Sequence, residues 1–304
     1  MADHMTGRPD LFLATALGDP LASALAERFT IHRDMPPLTT RAMVGGGMVR
    51  VDAALLDSLP ALEIVAIHGV GHDRVNLDMV RARNVRVTTT PGVLTDDVAD
   101  LAIALLFAVE RRIAANDQVV RDGGWAVPLS RRVTGRRVGI FGLGQIGMAI
   151  AARVTPFAGE VIYTARTEKP GLGWRFVADI GALADASDVL VLAAPGGAAT
   201  DRIVDAGILR RLGRYGVLIN VARGSLVDQE ALIAALRNGE IGGAGLDVFS
   251  DEPNVPRDLK AMPQVVLSSH QGSATIECRA EMARLVLANL DAHFAGRPLP
   301  APLV

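Results

Sequence analysis

Polar side chains that can do acid–base and anion-binding chemistry follow three successive predicted strands in the second half of the chain. Because crossover helices make such strands parallel, their carboxyl ends share one sheet edge, where ligands bind in open α/β proteins. The residues at these strand ends are Arg223, Asp247 with the nearby Glu252, and His270. An arginine can hold a carboxylate and polarise an adjacent carbonyl, while a histidine backed by a carboxylate can transfer a hydroxyl proton. The set predicts chemistry on a small 2-oxo or 2-hydroxy acid.

A glycine-rich turn precedes these residues in the chain and predicts a bound cofactor that they would face. A strand pattern leads into GLGQIG at positions 142–147, and a helical pattern follows. The first glycine permits the tight turn, the second lets the backbone approach a pyrophosphate, and the third lets helix and strand pack closely. The expected cofactor contacts of this turn are Gly142, Gly144, Gln145, Ile146 and Gly147. Each polar strand-end residue taken alone would fit an ordinary surface or loop role, but convergence beside a dinucleotide favours catalysis.

The end of the next strand indicates which dinucleotide is preferred. An NAD site normally carries an acid there to bind the ribose 2′-hydroxyl, whereas this strand ends in Ala165, Arg166 and Thr167. A guanidinium fork fits a 2′-phosphate. NADP(H) is therefore the favoured cofactor and NAD(H) a possible one, and the alternative is an ordinary solvated basic turn.

Composition bounds the class of protein. The chain has 304 residues, of which 50% are hydrophobic and 21% charged, so two folded domains with sizeable cores are expected. Lys+Arg 31 against Asp+Glu 33 gives a net charge of -2, which offers no basic field for nucleic acid or an anionic membrane. The longest apolar run, Leu101 to Val109, is too short to span a bilayer. With no signal-like start and Cys278 as the sole cysteine, we expect a cytoplasmic protein without a disulfide or a metal site.

Short apolar runs alternate with helical patterns along the whole chain, which is typical of α/β proteins. A long helix is expected to begin at Thr95, and its apolar residues lie on more than one side, which indicates a domain or subunit interface. The predicted boundaries give one domain of residues 1–97 plus 288–304 and a dinucleotide-binding domain of residues 98–287. The last helix, roughly Ile276 to Phe294, is expected to return toward the first domain.

Over nearly its whole length the chain resembles the D-2-hydroxyacid dehydrogenase family. The stretches that carry the resemblance are LEIVAIHGVGHDRV, TTPGVLTDDVADLAIALL, RRVGIFGLGQIG, VLINVARGSLVD, IGGAGLDVFSDEP and the strand before His270. Within the family it is most similar to NADPH-preferring glyoxylate, hydroxypyruvate and hydroxyphenylpyruvate reductases, which share the arginine motif at 164–167. The resemblance implies two Rossmann-like or flavodoxin-like parallel-sheet domains with the active site in the cleft between them. It also implies a homodimer that pairs through the dinucleotide-binding domain.

The resemblance assigns roles to individual residues. Arg223 would bind and orient the substrate, His270 would donate the proton and Glu252 would support His270. On the cofactor side, Asp247 would lie near the nicotinamide carboxamide and Thr95 near the phosphates. The backbone at Val70 and Gly71 would hold the substrate carboxylate.

The chain departs from the family pattern at several positions. Ser269 stands before the histidine where proline is common, and Gly46, Met48 and Arg50 differ from the usual residues near the expected substrate carboxylate. Arg50 is either a contact for a polar substrate tail or a solvated arginine. Two functional alternatives stay open: a reductase of bulkier aromatic 2-oxo acids, and a dinucleotide-sensing binding protein like the related corepressors.

Overall fold

The computed structural model describes residues 7–18 and 20–304, which divide into two compact units. The first unit contains the described residues up to Leu94 together with Ala274–Val304, and the second contains Thr95–Ser273. The elements up to Thr88 are β1 (Asp10–Leu13), α1 (Leu21–Arg28), β2 (Thr30–His32), β3 (Ala42–Gly46), α2 (Ala53–Ser58), β4 (Ile64–His68), α3 (Leu77–Ala82) and β5 (Arg86–Thr88). The later elements are α4 (Thr95–Glu110), α5 (Ile113–Arg121), β6 (Arg137–Phe141), α6 (Gln145–Val154), β7 (Glu160–Thr164), β8 (Arg175–Phe176), α7 (Ile180–Ala186), β9 (Val189–Leu192), α8 (Ala206–Leu212), β10 (Val217–Asn220), α9 (Gln229–Arg237), β11 (Gly243–Leu246), α10 (Arg257–Ala261), β12 (Val265–Leu267) and α11 (Ile276–Phe294).

The first unit is built on a five-stranded parallel sheet in the order β2-β1-β3-β4-β5. The central strands β3 and β4 are buried along nearly their whole length, as expected for a parallel sheet that is covered on both faces. On one face, Ala283, Val286 and Leu290 of α11 pack with Leu11 of β1 and Val44 of β3. The whole of α11 therefore belongs to this unit.

The second unit is built on a seven-stranded parallel sheet in the order β12-β11-β10-β9-β6-β7-β8. The strand order reverses next to β6, which places the glycine-rich turn at the switch point where doubly wound sheets bind ligands. Strands β10, β11 and β12 are neighbours, so their carboxyl ends lie side by side. Both units have the parallel α/β architecture that the sequence predicted.

Helix α4 lies close against this second sheet. A Cβ added at Gly243 would stand 2.8 Å from Val109 Cγ1, and one added at Gly245 would stand 3.0 Å from Leu105 Cβ. Glycine in β11 thus lets the helix approach the strand. The opposite side of α4 is only partly buried, Ala104 is exposed, and α5 contains no buried residue.

The two units divide at 94/95 and 273/274, whereas the sequence led us to expect boundaries at 97/98 and 287/288. The larger difference arises because α11 packs with the first unit along its length. The elements that the sequence analysis did not predict include α3, α5 and β8. None of the described helices combines the length and the apolar character needed to cross a bilayer.

Candidate active site

The glycine-rich turn after β6 has the geometry needed to hold a pyrophosphate. Gly142 has a φ of +94°, and a Cβ there would stand 2.6 Å from the backbone N of Ala194. A Cβ at Gly147 would stand 2.1 Å from the carbonyl oxygen of Gly142, so the helix can pack this closely only with glycine. Gly144, by contrast, has no atom within 4 Å of a Cβ position and no side chain capping α6. The first N–H groups of α6, starting at Gln145 and Ile146, are therefore available to bind an anion. The glycine-rich turn thus fits the pyrophosphate of a dinucleotide.

The tip of β7 lies beside this turn. The backbone N–H of Gly142 donates to the carbonyl oxygen of Thr164 at 3.0 Å, which ties the strand end to the glycine-rich turn. After it Ala165 is half-buried, and Arg166 and Thr167 are exposed. The loop after β7 therefore presents the guanidinium of Arg166 to solvent, and Ala165 at the strand end carries no carboxylate.

His270 and Glu252 form a hydrogen-bonded pair at the carboxyl edge of the second sheet. His270 Nδ1 lies 2.7 Å from Glu252 Oε2, and the other carboxylate oxygen accepts the backbone N–H of Phe249 at 2.9 Å. The histidine side chain is 40% exposed, and the glutamate is 17% exposed. The carboxylate thus fixes the ring through Nδ1 and leaves Nε2 as the nitrogen that can exchange a proton with a substrate.

Glu252 is held in its ionised form. Burial raises the pKa of this carboxyl, but the hydrogen bonds from His270 and the Phe249 N–H, together with the charge of Arg223, hold the pKa below its usual value. An ionised carboxylate behind the ring stabilises an imidazolium. The pair is therefore suited to deliver a proton.

Arg223 is held beside this pair by its own strand end. The amide of Asn220, 1% exposed, donates to the carbonyl oxygen of Arg223 at 2.9 Å and accepts the N–H of Ala222 at 3.0 Å. A Cβ at Gly224 would overlap the carbonyl of Phe249 at 2.0 Å, so the two turns touch through their backbones. Asn220 and Gly224 are site-building residues that the sequence did not reveal.

Asp247 is buried beneath the loop that carries the histidine. Its carboxylate oxygens accept the backbone N–H groups of Gln271 and Gly272 at 2.6 and 2.9 Å, and its carbonyl oxygen accepts the N–H of His270 at 2.8 Å. These bonds hold His270 in a left-handed conformation with a φ of +57°. The loop after Ser269 is thus anchored by a carboxylate.

The structure therefore brings together Arg223, Asp247, Glu252 and His270 in the second unit. Thr95, the first residue of α4, belongs to the same unit and is half-buried. Val70 and Gly71 belong to the first unit, where they lie in the loop after β4. There a Cβ at Gly47 would stand 3.6 Å from the backbone N of Gly71, so the loop after β3 packs against the loop after β4.

Arg50 is exposed to solvent and forms an ion pair within its own loop. Its Nε donates to Asp52 Oδ2 at 2.7 Å, and Asp52 also caps α2 by accepting the N–H of Leu55. Among the described residues no group of three or more histidine, cysteine or acidic side chains is arranged to bind a metal.

Comparison with known proteins identifies the class. The family model for the D-isomer specific 2-hydroxyacid dehydrogenase, NAD binding domain, matches residues 103–272. The chain is 42% identical to a 2-ketogluconate reductase of Gluconobacter oxydans, over 99% of this chain and 100% of that one. It is 48% identical to a hydroxyphenylpyruvate reductase of Plectranthus scutellarioides, over 87% of this chain and 85% of that one.

A solved structure agrees with these relatives. An NADPH-dependent glyoxylate/hydroxypyruvate reductase from Sinorhizobium meliloti, in complex with NADP and malonate, superposes with a TM-score of 0.92 at 40% identity, covering 98% of this chain and 97% of that one. The chain belongs to the D-isomer specific 2-hydroxyacid dehydrogenase family. It is an NAD(P)-dependent 2-hydroxyacid dehydrogenase, or 2-oxoacid reductase, and it binds a nicotinamide dinucleotide. The predicted family, enzyme class and parallel-sheet fold are confirmed, and the corepressor-like alternative is not supported.

Proposed function

We propose that this enzyme uses NADPH to reduce a small 2-oxo acid of the glyoxylate or hydroxypyruvate type to the D-2-hydroxy acid. The observation that carries the proposal is the His270–Glu252 pair beside Arg223, at the sheet edge that also bears the glycine-rich turn. A proton donor and an anion-binding cation in one place are what a 2-oxo acid requires.

The proposed mechanism divides the work among these residues. Arg223 binds the substrate carboxylate and polarises the carbonyl. The backbone N–H groups of Val70 and Gly71, in the first unit, are a further proposed contact for a substrate carboxylate. The reduced cofactor, when bound, supplies the hydride for C2. His270 delivers a proton from Nε2 to the carbonyl oxygen as negative charge develops there, and Glu252 keeps the ring oriented and stabilises its protonated form.

The proposed cofactor site uses the glycine-rich turn for the pyrophosphate and Arg166 with Thr167 for a ribose 2′-phosphate. An exposed guanidinium fork with no acid at Ala165 favours NADPH, because a carboxylate there would repel the phosphate. Thr95 near the phosphates and Asp247 near the nicotinamide are further proposed contacts.

Two relatives suggest bulkier substrates as competing candidates. One acts on 2-ketogluconate and one on hydroxyphenylpyruvate according to their names, and both compounds are 2-oxo acids with larger tails. The side chain of Met48 and the cation of Arg50 stand in the loop after β3, where they differ from the family pattern. These two positions are therefore where the substrate preference of this enzyme can differ from that of its relatives.

The test is a screen of NADPH oxidation with glyoxylate, hydroxypyruvate, 2-ketogluconate, phenylpyruvate and 4-hydroxyphenylpyruvate, each repeated with NADH. We expect the highest kcat/KM with glyoxylate or hydroxypyruvate and NADPH, and a loss of about 100-fold or more in kcat for His270→Ala. Preference for an aromatic or sugar acid would overturn the substrate proposal. Equal use of NADH would overturn the cofactor proposal, and an unchanged rate in His270→Ala would assign the proton to another group.

We further propose a cytoplasmic homodimer that pairs through the second unit. Large apolar side chains are exposed on and after α5, with Trp125 at 87% and Leu129 at 99%, and a second copy of the chain would bury them. Sedimentation velocity should give a dimer, and Val120→Glu on α5 should shift it toward monomer. A monomeric wild-type protein would contradict the proposal.

A further inference from the structure

Tyr163 occupies an unusual place for a hydroxyl group. It lies near the end of β7, its side chain is 1% exposed, and its ring packs against Phe176 of β8 with centroids 5.5 Å apart. Phenylalanine would satisfy this packing equally well. The buried hydroxyl must therefore be explained by its hydrogen bonds.

Both hydrogen bonds of the hydroxyl go to one residue beyond the strand. The oxygen accepts the backbone N–H of Lys169 at 2.8 Å, and the hydroxyl donates to the carbonyl oxygen of Lys169 at 3.2 Å. Because one hydroxyl binds both polar groups of the same residue, it fixes the position and orientation of that backbone.

The segment between the two residues is the loop that bears the guanidinium. Its first end is fixed by the bond from Gly142 N–H to the carbonyl oxygen of Thr164, and its second end is fixed by Tyr163. The Lys169 amine also reaches to 3.9 Å from Met148 Sδ on α6, which keeps the loop beside the glycine-rich turn. Between these anchors, residues 166–168 are exposed and make the tip.

We propose that Tyr163 is a positioning residue whose buried hydroxyl holds the loop 164–169 in the conformation in which Arg166 binds the 2′-phosphate of NADP(H). The inference rests on the NADPH preference proposed above. A loop held at both ends loses less conformational freedom when it binds a ligand, so preorganisation raises affinity without any contact from the tyrosine itself. The effect is confined to the cofactor that carries the phosphate.

The experiment compares Tyr163→Phe with Tyr215→Phe in the full-length protein. Tyr215, the chain's other tyrosine, is half-exposed and precedes β10 at the amino edge of the sheet, so it controls for loss of a phenol hydroxyl. Amide hydrogen exchange, measured without cofactor on peptides that contain the Lys169 amide, reports whether the loop is held. Calorimetric titration with NADP+ and with NAD+ reports discrimination without any turnover.

For Tyr163→Phe we expect faster exchange at Lys169 and an NADP+ affinity lower by roughly 3- to 10-fold, with NAD+ affinity unchanged. Tyr215→Phe should leave all three measurements at wild-type values. In the Arg166→Ala background, Tyr163→Phe should have no further effect on NADP+ affinity, because the tyrosine acts through the arginine.

The outcomes separate this inference from the cofactor proposal. Unchanged exchange at Lys169 would overturn the anchoring role, and equal losses for NADP+ and NAD+ would overturn the specificity role. An Arg166→Ala variant that keeps its NADP+ affinity would instead overturn the cofactor proposal on which the inference rests, whatever the exchange data show.

Discussion

Asp247 holds His270 in place through the backbone of the loop and not through the imidazole. Its carbonyl oxygen accepts the N–H of His270 at 2.8 Å, and its carboxylate accepts the next two backbone N–H groups. The aspartate is only 1% exposed, so these bonds form away from solvent, where an unpaired group is costly. The position of the proton donor, after β12, thus depends on the buried carboxylate of Asp247, which follows the neighbouring strand β11.

Asp247→Asn should lower kcat more than it weakens cofactor binding. The amide oxygen can accept one of the two backbone N–H groups, but the amide nitrogen would face the other N–H as a second donor. The loop must therefore shift, and the His270 ring moves with it. We expect a loss of about 10- to 100-fold in kcat, with an NADP+ dissociation constant within a few-fold of wild type. Steady-state kinetics with a binding titration measure both quantities, and Asp201→Asn at an exposed position is the control. A dominant loss of NADP+ affinity with kcat unchanged would show that Asp247 acts through its proposed contact to the nicotinamide and not through the His270 loop.

Glu252→Gln should move the pH profile of reduction to lower pH. The pKa of Glu252 is held below its usual value, so the carboxylate is charged throughout the working range and stabilises the imidazolium of His270. Without that charge, the alkaline limb of kcat/KM should move to lower pH. Rates measured from about pH 5 to 9 test this, with Glu230→Gln on α9 as an exposed control. A profile identical to wild type would remove Glu252 from the proton-transfer pair.

The second and third glycines of the glycine-rich turn, Gly144 and Gly147, should respond differently to the same substitution. At Gly144 a methyl group meets no atom within 4 Å, so Gly144→Ala should keep its Tm but lose NADP+ affinity by about 10-fold or more, because the methyl occupies the pyrophosphate's approach. At Gly147 the methyl would stand 2.1 Å from the Gly142 carbonyl oxygen, so Gly147→Ala should unfold more easily by about 1 to 3 kcal/mol. Thermal melts and titrations distinguish the two. Similar melting of both variants would contradict the assignment.

Most of the fold could be predicted because its signals are local. Both sheets show as short apolar runs separated by helical patterns, and parallel crossovers leave few topologies to choose from. Two elements gave no such signal. Strand β8 is the two residues Arg175 and Phe176, too short for any periodicity, and α3 is a six-residue helix whose main mark is the Asn76 cap.

The site could be predicted only in part, for a physical reason. Residues that follow strands are located once the sheet is known, which is how Arg223, Glu252 and His270 were found. Asn220, Gly224 and Tyr163 act through backbone groups that lie far away in the chain or in a turn, and no spacing rule marks such contacts. Arg50 shows the converse, since its ion-pair partner Asp52 stands only two residues away in the sequence.

His68 should make the first unit less stable in mild acid. Burial, followed by the nearby charge of Arg279, lowers the pKa of this histidine from 6.5 to about 4. Because the unfolded chain takes up the proton first, the stability is present above about pH 6.5 and is lost as the pH falls toward 4, by roughly 3 kcal/mol in all. His68→Asn keeps an acceptor near Arg279 but cannot titrate, so its urea midpoint should vary less over this range. Parallel pH dependences of the two proteins would contradict the assignment.

Arg223→Lys should impair both binding and turnover although it conserves the charge. A guanidinium can contact a carboxylate and an adjacent carbonyl oxygen at once through its planar fork, whereas an ammonium offers one compact charge. The contact to the carbonyl oxygen strengthens as negative charge develops there, so it belongs to transition-state stabilisation as well as to substrate binding. We expect a higher KM for the 2-oxo acid and a lower kcat.

The same substitution should leave cofactor affinity nearly intact, which makes it a test of the whole site assignment. The glycine-rich turn and Arg166 follow β6 and β7, while Arg223 follows β10, so the NADPH dissociation constant should stay within a few-fold of wild type. Steady-state kinetics combined with a fluorescence titration of NADPH measure the three parameters. Arg237→Lys, an exposed pair with Asp258 on a neighbouring helix, is the matched control because its salt bridge contributes little. If Arg223→Lys lost NADPH affinity but kept kcat, Arg223 would be a cofactor ligand and the carboxylate would bind elsewhere.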